Sequence, residues 1–122
     1  MFDQDLVNKK FQKEINAGIA SLVLLSVMDR ATEPLYGYQI SKMIGAGKET
    51  GLSMKQSALY PVLRSMESNG LLKSKVEPSV SGPPRKYYSI TENGKNTLKD
   101  WQNTWETTKS YVDRIIEGAY RD

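Results

Sequence analysis

Gln56, Tyr60, Arg64 and Ser68 recur at every fourth residue, so a helix through this stretch carries all four on one face, each with a hydrogen-bonding group. Lys55 and Ser57 flank the first of them, and Gly82, Arg85 and Lys86 follow in a second basic stretch. Such side chains suit a polyanion with readable edges, which describes duplex DNA. The Gln56 amide matches adenine, Lys55 and Arg64 match guanine or phosphate, and Ser57 and Tyr60 are phosphate donors. Gly82 permits close approach to a sugar-phosphate edge, while Arg85 and Lys86 can enter a minor groove or clamp phosphates. Tyr60, Tyr87 and Tyr88 also fit a plainer role as half-buried packing residues. Arg64 and Arg85 have no such alternative on sequence grounds.

Catalytic chemistry has no foothold here. The chain contains no histidine and no cysteine, which removes the commonest general base, the commonest metal ligand and any thiolate or disulfide site. No phosphate-binding Walker loop, dinucleotide glycine fingerprint or zinc-protease motif occurs. Serine nucleophiles would lack a base, and Glu67 and Glu77 read as surface charges. The expectation is a protein that is not an enzyme, with no cofactor and no metal.

Charge is distributed unevenly. Residues 53–88 hold six basic side chains against two acidic ones, whereas the rest of the chain is close to balance. A run of charge is often only a solvated face, but this excess coincides with the two stretches that could meet phosphates. The 122 residues suffice for one domain with a modest core. The longest apolar run, Ile19 to Met28, is far short of the ~20 residues of a membrane span. The acidic start, Met1-Phe-Asp-Gln-Asp5, is unlike a signal peptide, so a soluble, cytoplasmic protein is expected.

The elements that must position these side chains follow from periodicity. In Ala58 to Asn69 the apolar residues Leu59, Val62, Leu63 and Met66 keep the i, i+3, i+4, i+7 spacing, and Gly70 ends the helix. Lys73–Glu77 and Arg85–Ile90 flank Pro78–Pro84, which predicts a β-hairpin with a long tip. Thr91 is placed to cap the next helix. Helix followed by hairpin is the winged-helix arrangement, so the fold class is mainly α, a winged helix-turn-helix with a two-stranded wing.

Upstream, Phe2, Leu6 and Phe11 allow a short amphipathic arm whose partner, a subunit or DNA, stays open. Glu14 to Arg30 is predicted as a helix buried on most sides, because Ile19 to Met28 is apolar nearly all round. Pro34 breaks it, and Tyr36 to Ala46 reads as a second helix with Ile40, Met43 and Ile44 inward. A glycine-rich turn leads to Ser53-Met-Lys-Gln56, a capping box that starts the third helix at Met54. Pro61 then implies either a bend, the preferred reading, or a later start near Ser57.

Glu92 to Gly118 is predicted as one helix with a stripe at Leu98, Trp101, Trp105, Thr108, Val112, Ile115 and Ala119, an unbroken heptad pattern widened by Ile116 and Tyr111. At ~1.5 Å per residue this helix is about 40 Å long, more than three small helices and a wing can cover. A second copy of the chain covering the distal half, Thr108 to Ala119, is therefore expected, with Trp105 also in the interface. On this reading residues 1–91 form the winged-helix region with its arm, and 92–122 form the dimerisation helix of the same domain.

Three segments resemble the PadR family of bacterial winged-helix transcriptional repressors: Tyr36-Gly-Tyr-Gln-Ile40, Leu59-Tyr-Pro-Val-Leu63 with Glu67 and Gly70, and Tyr87-Tyr-Ser-Ile-Thr-Glu-Asn-Gly94. The similarity spans roughly residues 12–118. Ala58 departs from the Thr that members often carry, and Met66 replaces a common Leu. The resemblance implies a homodimer through the last helix and a phosphate contact from Tyr38. It also implies that Trp105 pairs with its two-fold mate around a small planar aromatic effector, with Leu98 and Trp101 as apolar walls; the plainer alternative for both tryptophans is core packing. A winged-helix module for protein–protein contact is the second functional class that the sequence leaves open.

Overall fold

The computed structural model describes residues 2–45 and 56–119. Among these residues four helices and a small sheet follow in the order α1 (Gln4–Arg30), β1 (Leu35–Tyr36), α2 (Gly37–Gly45), α3 (Gln56–Ser68), β2 (Leu72–Glu77), β3 (Arg85–Ile90) and α4 (Glu92–Glu117). The antiparallel sheet has the order β1-β3-β2. This is a winged helix with a long C-terminal helix, as the periodicity predicts. β1 is an addition: two residues, too few for alternation to show, pair Tyr36 with Tyr87. Tyr36 thus belongs to a strand and not to the second helix. Ser53 to Lys55 of the capping box, the Met54 start of the third helix, the Ala46 end of the second and the glycine-rich turn beyond Gly45 lie outside the described residues. α3 runs through Pro61 without a break.

α1 is one continuous helix, capped by Asp3, whose carboxylate accepts from the Leu6 N–H at 3.2 Å. Within one chain it is not buried on most sides. Of its residues Leu24, Leu25 and Met28 are fully enclosed, with α2, β3 and α4 as the main elements packed against it among the described residues. Phe2, Leu6 and Phe11 lie in the open. α2 buries Ile40 and Ile44, but Met43 is 46% exposed: a nine-residue helix offers the core only a narrow stripe, and Met43 falls beside it. α3 buries Leu59, Leu63 and Met66, with Val62 half-buried, and turns the opposite face outward.

The joints between α3, the wing and α4 are made of backbone. Gly70, at φ +76°, closes α3: its N–H donates to the Glu67 carbonyl at 3.0 Å and the Leu71 N–H donates to Met66 at 2.9 Å. That pattern of paired bonds needs a left-handed residue, which glycine adopts without penalty. The Leu71 carbonyl then accepts from the Thr91 N–H at 3.1 Å. The Thr91 hydroxyl donates to the Gly70 carbonyl at 2.6 Å and accepts from the Gly94 N–H at 2.9 Å, so a single side chain ties the end of α3 to the start of α4. Gly94 passes so near that a Cβ there would sit 2.2 Å from the Leu71 carbonyl oxygen. The Thr-x-x-Gly spacing is thus a packing requirement.

Gly94→Ala should lower stability by about 1–3 kcal/mol through overpacking against backbone. Gly45→Ala, where an added carbon meets nothing within 4 Å, should be neutral or mildly stabilising. Thr91→Val, which keeps the shape and loses the hydroxyl bonds, should cost about 1–2 kcal/mol. Urea unfolding followed by circular dichroism measures all three.

Candidate functional site

α3 presents Gln56, Ser57, Tyr60 and Arg64 together on its exposed face. The Tyr60 hydroxyl donates to Gln56 Oε1 at 3.1 Å, one turn away. Its ring lies over the start of α2, where a Cβ at Gly37 would come within 2.6 Å of the hydroxyl oxygen. Glycine in Tyr36-Gly-Tyr38 makes room for that ring, so Tyr60 both packs and points outward. Arg64 is exposed and joins no ion pair among the described residues.

The wing stands beside this face, and its two sides differ. On one side Tyr36 meets Tyr87 edge-on at 5.4 Å between ring centres and stacks on Tyr38 at 6.4 Å. The Arg85 guanidinium lies 4.5 Å over the Tyr36 ring, and Lys42 lies 5.6 Å over the half-exposed Tyr38. Arg85 therefore does have a structural partner: a π face that holds its planar head while leaving its N–H edges to solvent. On the other side Tyr88 is buried in the core. Gly82, in the tip, adopts φ +123°.

Lys86 is not a free cation. Its Nζ lies 3.2 Å from Glu67 Oε1, and the Ser74 hydroxyl donates to Glu67 Oε2. Glu67 is thus more than the surface charge its sequence context suggests. The Ser74 hydrogen bond, with help from Lys86, holds its carboxyl below the ordinary range. Lys86 is raised in return, chiefly by its bond to Glu67 and then by the nearby Tyr88. Lys42 and Ser74 are site residues that sequence reasoning missed, and Tyr36 and Glu67 entered it without a role in the site. Only the strand register, Ser74 opposite Tyr88 and Val76 opposite Lys86, brings Ser74 and Lys86 to one face.

Further along, α1 and α4 enclose two apolar grooves. One, of about 650 Å³, is lined by residues including Leu22, Val27, Met43, Gln102 and Trp105. The other, of about 430 Å³, is lined by residues including Ile19, Trp101, Trp105 and Thr108. Trp105, 42% exposed, forms a wall of both. Trp101 is half-buried against the core. Leu98 is buried in that core and faces neither groove, so it is no wall of either; it anchors α4 to the helices beneath. Tyr111, Val112, Ile115 and Ile116 leave an apolar strip in solvent, Ile116 at 77%. Thr108 and Ala119 are also exposed.

Residues 24–100 match the model of the transcriptional regulator PadR-like family. The chain belongs to that family. Its fold is similar to a PadR family transcriptional regulator from Eggerthella lenta, 30% identical over 93% of this chain and 95% of that one, with a TM-score of 0.80. A transcriptional regulator from Clostridium thermocellum is 29% identical over 83% of this chain and 96% of that one, with a TM-score of 0.73. A PadR-like transcriptional regulator from Bacillus cereus is 25% identical over 84% and 96%, with a TM-score of 0.68. PadR proteins are transcriptional regulators and not enzymes. No helix among the described residues is long and apolar enough to cross a membrane.

The pair between Glu67 and Lys86 has a defined pH window. The lowered carboxyl contributes stability above the ordinary carboxylate range, lost as pH falls through its folded value. The raised ammonium contributes below the ordinary lysine range, lost as pH rises through its folded value. Both heads are part-exposed, so Lys86→Met should cost about 1 kcal/mol or less at neutral pH. It should also flatten the acid limb of the curve. Melting temperatures at neutral pH and through the carboxylate range measure both.

Proposed function

We propose that this PadR-like regulator is a cytoplasmic, DNA-binding repressor that works as a homodimer and is released by a small planar aromatic effector. The observation that carries the DNA-binding part is a pair of exposed arginines, one on α3 and one on the wing, neither of which joins an ion pair among the described residues. Arg64 projects from the open face of α3 and Arg85 is held edge-out on the wing. An exposed helix face of this kind fits a major groove, with Gln56 and Arg64 toward base edges and Ser57 and Tyr60 toward phosphates. Tyr38 and Lys42, beside the wing, suit the flanking backbone. Support for the dimer comes from the solvent-facing strip of α4, which continues the heptad stripe beyond the buried Leu98. For an effector, support comes from the apolar grooves that share Trp105. Two such tryptophans across a two-fold axis would bracket a flat ligand, and a change in the lean of the α4 pair would alter the spacing of the wings.

Binding to duplex DNA should weaken steeply as salt rises, because Lys and Arg displace counterions. Arg85→Ala should weaken binding to all sequences alike. Arg64→Ala and Gln56→Ala should each also blur sequence preference, by roughly 1–3 kcal/mol per lost base contact. Mobility shifts with competitor DNA at several salt concentrations provide the test, and affinity without a salt slope would exclude the reading.

Val112→Asp places an unpaired carboxylate in the α4 strip. Sedimentation should then show monomer, with DNA affinity collapsing alongside. Trp emission should be quenched by planar dyes in the wild type and not in Trp105→Ala; equal quenching in both would assign Trp105 to packing alone.

A further inference from the structure

A carboxylate three residues from Arg64, on a helix proposed to approach phosphates, is electrostatically out of place, and its surroundings supply the reason. The inner side of the wing begins in the core, with Leu72 and Tyr88 buried, but by Val76 it is exposed. Apolar contact therefore stops halfway along the ribbon. At that boundary Glu67, one turn beyond the buried Leu63, receives Ser74 of β2 on one carboxylate oxygen and Lys86 of β3 on the other. One residue of α3 grips both strands. The Lys86 ammonium also rests 5.5 Å over the Tyr88 ring, which fixes it from below. A two-stranded ribbon holds little order of its own beyond its last packed residue.

We propose that Glu67 is a positioning residue that locks the wing to α3, so that Arg64 and Arg85 meet DNA at a set spacing, with Lys86 acting as a strut of this lock and not as a phosphate contact. The proposal rests on the DNA-binding reading above. It also inverts the usual sign of a charge effect. Removing an acid near phosphates should strengthen binding, whereas removing this one should weaken specific binding by freeing the wing.

The test uses the full-length protein and two probes: the tightest duplex that wild type selects from a randomised pool, and a scrambled duplex of the same composition. Glu67→Ala should lower the ratio of selected to scrambled affinity roughly tenfold, despite the gain of one positive charge. Lys86→Met should lower the same ratio and leave the salt slope unchanged, while Arg85→Ala should make the slope shallower by about one. In free protein, amide exchange should quicken in Lys75–Glu77 and Arg85–Tyr87 of Glu67→Ala but not in α4. The reversed pair Glu67→Lys with Lys86→Glu should restore protection that either single change removes. Unchanged exchange in Glu67→Ala, or an unchanged or higher ratio, overturns the lock. A slope shallower by one in Lys86→Met overturns the strut. A wild type that binds neither duplex overturns the regulator reading, and the exchange data then decide the lock alone.

Discussion

The carbonyl of Leu71 is where the molecule is joined together. It receives the Thr91 N–H as β3 gives way to α4, and Gly94 presses against it closely enough to exclude any side chain. Everything that distinguishes this chain from a bare helix-turn-helix meets there: the stop of α3, the root of the wing and the first turn of α4. Buried backbone groups demand partners, and here Gly70, Leu71, Thr91 and Gly94 supply them for three segment ends. The apolar core beneath, from Leu24 to Leu98, then needs only to fill space around a frame already set.

From that root outward, stabilisation changes character. Near the joint the wing is held by apolar burial of Leu72 and Tyr88. Farther out it is held by the carboxylate of Glu67 on one side and by the ring of Tyr36 beneath Arg85 on the other. Both outer contacts use charged or aromatic groups at part-exposed positions, where each is worth little alone. Their value is geometric, because they orient a ribbon that a small core cannot reach.

Local rules made much of this readable in advance. Helical spacing, a terminating glycine and a capping threonine are properties of short segments, so α3, the hairpin and α4 fall where those rules place them. What stayed hidden depends on distance in the chain. β1 is two residues and exists only because Tyr87 lies opposite Tyr36. Glu67 looks like any surface acid until the strand register delivers Ser74 and Lys86 to it. Met43 was expected inside because the helical period alone cannot tell how wide a stripe the neighbours will cover. The breadth of apolar surface on α1 misled in the same way: the residues are apolar all round, but one chain encloses only three of them fully.

The length of α4 gives its attachment a mechanical meaning. Its 26 residues, at ~1.5 Å each, form an arm of about 39 Å, fixed to the wing root at Gly94 and to the core at Leu98 and Trp101, with its far end in solvent. Such an arm converts translation into rotation. Over that length a sideways shift of about 3 Å at the far end is a tilt of roughly 4° at the root that the wing shares. A displacement of a few ångströms at the far end is thus felt at the root as a change of direction more than of position.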